Sequence, residues 1–193
     1  MNNTLQNLIN PDYLNRETIK QASKAFDSNI QLQSFLKENI FKSLQKEMKL
    51  LSYSHNYQPD IYSYFSADVP ELFLSLLESE EFKQLIQEIT KTKLFNLTAE
   101  ACYFKHKNYT ILNDKETIKN GISFFFDLDS WNNEFGGCTV FTKDNIIQQP
   151  IKNSLTLALQ SKNQRNFIKY VNHQAKDNKR FIIKGYFTQK LNK

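Results

Sequence analysis

The side chains of this chain that could take part in metal or anion chemistry lie in its C-terminal half. The candidate donors to a divalent metal are His106, Asp114, Glu116 and His173. Positive charges suited to an anion occur at Arg180 and Lys184. The two cysteines, Cys102 and Cys138, are too few for a thiolate metal site, and we expect both to be buried core thiols. The candidate chemistry is therefore metal binding or anion binding.

The length and composition favour one folded domain over residues 1–193. Of the 193 residues, 40% are hydrophobic and 13% aromatic, which is enough for a sizeable core and argues against disorder. The N-terminal residues have neither the basic region nor the apolar core of a signal peptide, and no run approaches the ~20 apolar residues of a membrane span. We expect a cytoplasmic protein without membrane contact.

The first part of the chain, about residues 1–96, is predicted to be mostly helical. It contains no glycine, and its apolar residues recur at helical spacing, as at Ile19, Ala22 and Phe26. Pro70 suits the first turn of one helix, and Ser79 suits the N-cap of the next. The segment Tyr53 to Tyr64, with Pro59 and four tyrosines, is predicted to be a long loop.

The second part, about residues 97–190, has the shorter periodicity of strands. Seven strands are predicted, at 99–105, 109–112, 122–128, 138–142, 154–159, 167–171 and 181–187, with polar turns between them. Helices followed by many short strands indicate an α+β protein whose sheet is mainly antiparallel and closed or doubled, as in a jelly roll. The segment WNNEFGGCTVF, from Trp131, is predicted to form a tight turn into a buried strand, because paired glycines allow positive φ angles.

Four segments of the second part carry a family resemblance. They are YFKHKNYTILNDKE from Tyr103, ISFFFDLDSWNNEFGG from Ile122, PIKNSLTLAL from Pro150 and RFIIKGYF from Arg180. Their order resembles the iron- and 2-oxoglutarate-dependent oxygenases, specifically the prolyl-hydroxylase-like group that includes the ribosomal-protein prolyl hydroxylases. The resemblance implies a double-stranded β-helix, with the N-terminal helices packed as a layer on one of its sheets.

The same resemblance places the iron ligands of that family on residues that are poor ligands here. Its two histidines fall on Asn113 and Asn166, and its carboxylate falls on Lys115. An amide is a weak donor to a transition metal, and a lysine binds one only after losing its proton. We therefore expect a pseudoenzyme without a cofactor, whereas an active protein would use Fe(II) and 2-oxoglutarate.

Other residues could in principle replace the lost ligands. A shift of each motif by a few residues would bring in Asp114, Glu116, His106 or His173. Moving by one residue along a strand turns a side chain to the other face of the sheet, so Asp114 should point away from the pocket that Asn113 would face. We expect the two histidines to be polar surface residues.

Some of the residues that bind the cosubstrate in that family have counterparts in this chain. The resemblance aligns Arg180 with the arginine that pairs with 2-oxoglutarate, and Tyr109 with a tyrosine of the same pocket. Strand alternation places Lys184 and Tyr186 on the same face as Arg180. Two interpretations of Arg180 stay open, an anion-binding pocket or an internal ion pair with a carboxylate such as Asp127.

Three hypotheses for function follow from these observations. The first is a catalytically degenerate oxygenase-fold protein that binds a protein partner or a small carboxylate. The second is an active 2-oxoglutarate-dependent hydroxylase with a rearranged metal site. The third is a basic module associated with RNA or ribosomes, which the net charge of +5 favours only weakly because the lysines are scattered. A basic stripe with interleaved aromatic residues would support the third hypothesis.

Overall fold

Helices dominate the first ninety residues of the computed structural model, which describes residues 4–112, 120–143 and 145–189. The α-helices within these ranges are α1 (Thr4–Leu8), α2 (Arg16–Ala25), α3 (Glu38–Leu50), α4 (Glu71–Glu78) and α5 (Glu80–Thr90). Short 3₁₀ helices occupy Pro11–Leu14, Asn133–Phe135 and His173–Ala175. None of the helices in these ranges is long and apolar enough to cross a membrane.

The predicted start of α5 is confirmed by its capping interaction. The Ser79 hydroxyl accepts a hydrogen bond from the Phe82 backbone N–H at 3.2 Å, which satisfies one of the free donors of the first turn. At the other end Lys91 adopts a left-handed conformation with φ of 56°, and its N–H bonds to the Gln87 carbonyl. The preceding helix, α4, begins at Glu71, so Pro70 is its N-cap residue, one position before the first turn in which it was predicted.

Eleven strands lie in the described ranges. They are β1 (Asn29–Leu32), β2 (Ser54–Gln58), β3 (Tyr62–Ala67), β4 (Leu94–Phe104), β5 (Tyr109–Thr110), β6 (Gly121–Asp127), β7 (Thr139–Phe141), β8 (Ile146–Gln148), β9 (Ser154–Gln160), β10 (Asn166–Ile168) and β11 (Arg180–Gln189). All seven predicted strands are present. The strand β8 was not predicted, and the part of the chain predicted as helical contributes β1, β2 and β3.

The prediction of a long loop from Tyr53 to Tyr64 was wrong. These residues form most of a hairpin, in which β2 pairs with β3 from Ser54 opposite Ser66 to Gln58 opposite Tyr62. Pro59 lies in the turn between the two strands, where Asp60 has a φ of 61°. Proline and the tyrosines suggested a loop, but aromatic residues also favour strands, and the cross-strand contacts decide between the two.

The strands form two antiparallel sheets that face each other. The large sheet has the order β1-β9-β6-β11-β4-β3-β2, with β5 paired to β3, and the small sheet has the order β10-β7-β8. This arrangement is the predicted double-stranded β-helix in an α+β protein. The closed shape gives the large sheet an inner face toward the small sheet and an outer face toward the helices.

Alternation along the central strand β6 explains how both faces are buried. All seven of its residues, GISFFFD, are buried. Ile122, Phe124 and Phe126 point outward into a cluster formed with the helices, which includes Phe41 of α3 and Phe82 of α5. The predicted layer of helices on one sheet is thus confirmed.

The inner face packs a second cluster between the two sheets. Its members include both cysteines, and the buried residues are Cys102, Phe104, Phe125, Trp131, Cys138, Phe141, Ala158, Ile168, Val171, Ala175 and Ile182. Burial raises the pKa of the thiols of Cys102 and Cys138, so both stay uncharged at neutral pH. The cysteines are therefore core residues, as predicted.

The turn at Gly136 and Gly137 closes the inner cluster. The two glycines have φ angles of 70° and 68°, and the Trp131 indole N–H donates to the Gly136 carbonyl at 2.7 Å. A Cβ atom on Gly136 would overlap the Tyr170 carbonyl oxygen, and one on Gly137 would lie 2.8 Å from a methyl group of Val171. Both positions therefore need glycine, because the backbone is left-handed and its neighbours are close.

Asn153 ties the N-terminal segment to the sheet. This buried residue has a φ of 56°, and its side-chain amide accepts from the N–H of Leu36 and donates to the carbonyl of Leu36, both at 2.9 Å. Its backbone carbonyl accepts from the Phe35 N–H, and its backbone N–H donates to the Asp127 carbonyl, both at 2.9 Å. One side chain thus joins the segment before α3 to the start of β9.

We predict that Asn153→Ala lowers the free energy of unfolding by about 2–4 kcal/mol, because it leaves the buried N–H and C=O of Leu36 without partners. Urea denaturation followed by circular dichroism measures this difference. The matched control is Asn96→Ala at an exposed position, which should stay within about 0.5 kcal/mol of the unmodified protein. Equal effects of the two substitutions would contradict the proposed role of Asn153.

Candidate functional site

The inner face of β11 carries the residues that alternation predicts. Arg180, Ile182, Lys184 and Tyr186 all point toward the small sheet. The first two are fully buried, whereas Lys184 and Tyr186 line an open cleft further along the strand. The predicted site is therefore divided into a buried part and an accessible part.

Arg180 is completely buried and makes an internal ion pair with Asp127. Its Nε and Nη2 atoms donate to Oδ1 of Asp127 at 3.0 and 2.6 Å. Its Nη1 atom donates to the Gly137 carbonyl, and Nη2 also reaches the Thr139 hydroxyl at 3.4 Å. The internal ion pair, one of the two interpretations left open by the sequence, is thus the arrangement in this structure.

The register of the large sheet explains this pairing. Arg180 is the first residue of β11, and Asp127 is the last residue of β6. Ile182 lies opposite Asp127, so Arg180 extends two residues beyond the end of the neighbouring strand, and its long side chain reaches back to the carboxylate. The Gly137 carbonyl accepts a hydrogen bond from the guanidinium because the turn after Trp131 brings this carbonyl next to the start of β11.

Burial and the neighbouring charge shift the pKa of the Asp127 carboxyl in opposite directions. Burial raises the pKa of the Asp127 carboxyl, and the Arg180 guanidinium works against this shift. Arginine keeps its charge in proteins, so an ionised Asp127 leaves the pair neutral, which is the less costly state in a core. Oδ2 of Asp127 has no hydrogen-bond partner among the described residues, so the pair is not fully satisfied.

The accessible part of the inner face is a cleft of about 690 Å³, which we call the inner-face cleft. It opens between the large sheet and the start of β10. Its described lining residues are Thr98, Ala99, Glu100, Ser123, Phe125, Gln160, Asn166, Lys184, Gly185 and Tyr186. Aromatic surface, amide groups and one pair of opposite charges are thus available to a ligand.

The charged pair in the cleft is formed by Lys184 and Glu100. These residues lie directly opposite each other on β11 and β4, and Nζ of Lys184 is 2.9 Å from Oε1 of Glu100. The Tyr64 hydroxyl donates to the same oxygen at 3.2 Å. The Lys184 ammonium also lies 4.1 Å from the centre of the Tyr64 ring, where a cation is attracted to the π-electrons.

The acidic groups around Lys184 stabilise its charged form. Burial by itself lowers the pKa of an ammonium group, but the carboxylate of Glu100 outweighs this effect, and the pKa of Lys184 is raised. Burial raises the pKa of Tyr64 to about 12 and also raises that of Cys102. Both of these groups are therefore neutral at pH 7, and the Glu100 carboxylate is the one that answers the ammonium.

Asn166, at the position where the resemblance expects a histidine ligand, belongs to a chain of polar side chains in the cleft. Its amide nitrogen lies 3.3 Å from the Ser123 hydroxyl, which in turn donates to the Gln160 side-chain oxygen. A neutral amide already bonded to a hydroxyl is a poor substitute for an imidazole ligand. The described residues of the cleft therefore do not fit an iron ion.

The other candidate metal ligands do not gather at the cleft in the described part of the chain. His106 is half-buried in the turn after β4, with its ring 6.5 Å from that of Tyr170, and His173 is exposed in a 3₁₀ helix. Across residues 4–112, 120–143 and 145–189, no group of three potential ligands could hold a metal. The remaining candidates lie outside the described residues; they are Asn113, Asp114, Lys115 and Glu116.

Tyr109 lies apart from Lys184 and Tyr186. It is in β5, opposite Ser63 of β3, and its ring centre is 6.3 Å from that of Tyr170. It is not among the described residues that line the inner-face cleft. The predicted group of Arg180, Tyr109, Lys184 and Tyr186 is thus only partly brought together.

Several residues of the cleft were not singled out from the sequence. Glu100 and Tyr64 interact with Lys184, and Ser123 and Gln160 interact with Asn166. Glu100 falls within a predicted strand, and an acidic residue in a mostly buried strand is a signal that it has a partner. The identity of that partner depends on the register of β4 against β11, and no local pattern in the sequence predicts this register.

Known proteins match this chain in structure and not in sequence. No protein-family model and no curated protein matches it. A prolyl-4-hydroxylase from Pseudomonas putida superposes with a TM-score of 0.67 at 14% identity, over 89% of this chain and 99% of that one. A 2OG-Fe(II) oxygenase family oxidoreductase from Burkholderia pseudomallei has a TM-score of 0.67 at 11% identity, over 90% and 92% of the two chains.

A third structure gives the same result. A prolyl hydroxylase from Trichoplax adhaerens, solved with a peptide fragment of hypoxia inducible factor, has a TM-score of 0.67 at 11% identity, over 92% of this chain and 96% of that one. At such low identity the similarity establishes the fold alone. The chain therefore has the double-stranded β-helix fold of prolyl hydroxylases and related 2-oxoglutarate oxygenases, as the resemblance implied.

We predict that Arg180→Met destabilises the protein by about 3–5 kcal/mol, because it leaves Asp127 buried without its cation. The double variant Arg180→Met with Asp127→Asn should lose less than the sum of the two single losses, since it removes both charges together. Chemical denaturation of the four proteins in the cycle measures this coupling. Strictly additive losses would show that the two side chains do not act as a pair.

Proposed function

We propose that this protein is a catalytically degenerate member of the oxygenase fold and that it functions by binding a ligand in the inner-face cleft. The observation that carries this proposal is the complete burial of Arg180 in an ion pair with Asp127. The resemblance assigns this arginine to the carboxylate of 2-oxoglutarate. In this chain its charge is already answered by an internal carboxylate.

The hydrogen-bonding groups of Arg180 support the same conclusion. The guanidinium donates to Asp127, to the Gly137 carbonyl and to the Thr139 hydroxyl, and its side chain is only 1% exposed. A cosubstrate carboxylate would have to displace Asp127, and this would leave a second buried carboxylate without a cation. Such a displacement costs several kcal/mol, which a small anion is poorly able to offset.

The chemistry of the cleft favours a polar segment of a protein partner as its ligand. Lys184 is paired with Glu100, so the two charges cancel and a free carboxylate would compete with Glu100 for the ammonium. The amides of Asn166 and Gln160 can exchange hydrogen bonds with a peptide backbone, and Tyr186 offers aromatic surface beside them. We therefore favour a protein partner over a small carboxylate.

We predict that the protein neither binds iron in stoichiometric amount nor releases succinate from 2-oxoglutarate. The reason is that Asn113, Lys115 and Asn166 stand where three ligands would be needed, and a lysine ammonium repels a dication. An anaerobic titration with ferrous iron and 2-oxoglutarate, monitored for the visible charge-transfer band, measures the first property, and a succinate assay measures the second.

The positive control for this experiment is the triple variant Asn113→His, Lys115→Asp and Asn166→His. On the proposed alignment this variant has the minimum set of changes needed to recover iron binding. A charge-transfer band and succinate release from the unmodified protein would overturn the proposal. That result would favour the alternative of an active hydroxylase with a rearranged metal site.

We also predict that 2-oxoglutarate, succinate and citrate at millimolar concentration leave the melting temperature unchanged. The variant Glu100→Gln removes the carboxylate that answers Lys184, so the same anions should raise the melting temperature of this variant by binding its folded state. Differential scanning fluorimetry measures both proteins under the same conditions. A rise in the unmodified protein that disappears in Lys184→Met would instead identify a small carboxylate as the ligand.

A further inference from the structure

The outer face of the large sheet carries a row of aromatic rings near its β2 edge. One ring comes from each of four neighbouring strands, His55 of β2, Phe65 of β3, Tyr103 of β4 and Phe181 of β11. His55 lies opposite Phe65, Phe65 lies opposite Tyr103, and Tyr103 lies opposite Phe181 in the strand register. We call these four residues, together with Tyr57, the aromatic row.

The rings from Tyr57 to Tyr103 are stacked on one another, and Phe181 is tilted by 53° to Tyr103. The ring centres of His55 and Phe65 are 4.6 Å apart with an angle of 21° between the planes, and those of Phe65 and Tyr103 are 4.6 Å apart at 8°. Phe181 continues the row at 5.6 Å from Tyr103. At the other end Tyr57 lies 5.9 Å from His55 and is 61% exposed. The row therefore begins in the core and ends in solvent.

Two lysines lie on the aromatic row. Nζ of Lys105 is 4.9 Å from the ring centre of Phe65, and Nζ of Lys179 is 4.8 Å from that of Tyr103. Both side chains are exposed, and neither ammonium has a carboxylate partner in the part of the chain that the structure describes. The surface thus combines aromatic rings with positive charges that no acidic group among the described residues neutralises.

Stabilisation of the sheet accounts for the covered rings of the aromatic row but not for its exposed rings. Cross-strand aromatic pairs stabilise a sheet, and Phe65 and Tyr103 are sufficiently covered to do so. His55 and Tyr57 are exposed on a short edge strand, where large aromatic side chains add little burial. Stacked rings that extend to solvent, with lysines beside them, are typical of surfaces on which unpaired bases stack while cations contact the phosphates.

We propose that the aromatic row, with Lys105 and Lys179, binds single-stranded nucleic acid. Tyr57 and His55 would extend the stack to an unpaired base, and the lysines would leave the ring faces to contact the backbone phosphates. An acidic peptide would use the two lysines but gain little from a row of rings, so the combination favours a nucleic acid. This surface lies on the opposite face of the sheet from the inner-face cleft and does not depend on its ligand.

The sequence does not predict this surface. Lys105 and Lys179 are separated by 74 positions in the chain, and both lie on the aromatic row. The aromatic residues come from β2, β3 and β4, which follow one another in the chain, and from the distant strand β11. Only the sheet brings this set together.

The test is fluorescence anisotropy with labelled oligouridylate and oligodeoxyuridylate of roughly ten nucleotides, within the range of known single-stranded sites. We expect both probes to bind, and a difference between them distinguishes RNA from DNA. Tyr57→Ala and His55→Ala should each weaken binding about fivefold or more through the loss of stacking, whereas Tyr57→Phe should keep the affinity. The matched control is Tyr170→Ala, which removes another exposed tyrosine.

The contribution of the lysines is measured by salt dependence. Lys105→Gln and Lys179→Gln should each reduce the slope of log affinity against log salt concentration by about 0.7, as expected for the loss of one phosphate contact on a single strand. The control Lys20→Gln, on the exposed face of α2, should leave the slope unchanged. Melting curves of all variants establish that the exposed substitutions preserve the fold.

Three results would overturn the proposal. The first is absence of binding to both probes at low salt. The second is an equal loss of affinity in Lys20→Gln and Tyr170→Ala, which would assign binding to diffuse charge. The third is binding of polyglutamate that depends on Lys105 and Lys179 but not on Tyr57, with no preference for the oligonucleotides, which would identify the surface as a site for an acidic protein.

Discussion

The buried ion pair between Arg180 and Asp127 constrains both the core and the site of this protein. A guanidinium without solvent must have its charge answered and its donors filled, because an unpaired buried charge costs several kcal/mol. Asp127 at the end of β6 meets these needs together with the Gly137 carbonyl and the Thr139 hydroxyl, which lie two residues apart at the glycine turn. The end of β6, the glycine turn and the start of β11 must therefore keep their relative positions for the protein to stay folded.

Polar side chains also bind to one another further along the inner face, in the cleft. Lys184 is paired with Glu100, and Asn166 is linked through Ser123 to Gln160. The described polar groups of the cleft are thus bonded to one another, and the charges of Lys184 and Glu100 balance.

The two faces of the large sheet have different chemistry although they share the same strands. On β4, Glu100 and Cys102 point inward, and Tyr103 points outward into the aromatic row. Helices cover the outer face over the central strands, but near the β2 edge the rings of His55 and Tyr57 reach solvent. The hairpin of β2 and β3 therefore extends the sheet beyond its helical layer and leaves these two rings exposed.

The sequence by itself determined the class of fold and the residue types of the site. Local patterns are sufficient for this, because helical spacing at Ile19 and Ala22, the Ser79 cap and the glycine pair after Trp131 each act over a few residues. Only the tertiary structure decided that Arg180 pairs with Asp127, that Lys184 pairs with Glu100 and that residues 54–67 form a hairpin. These outcomes depend on strand register and on contacts between distant segments, whose energies no local pattern contains.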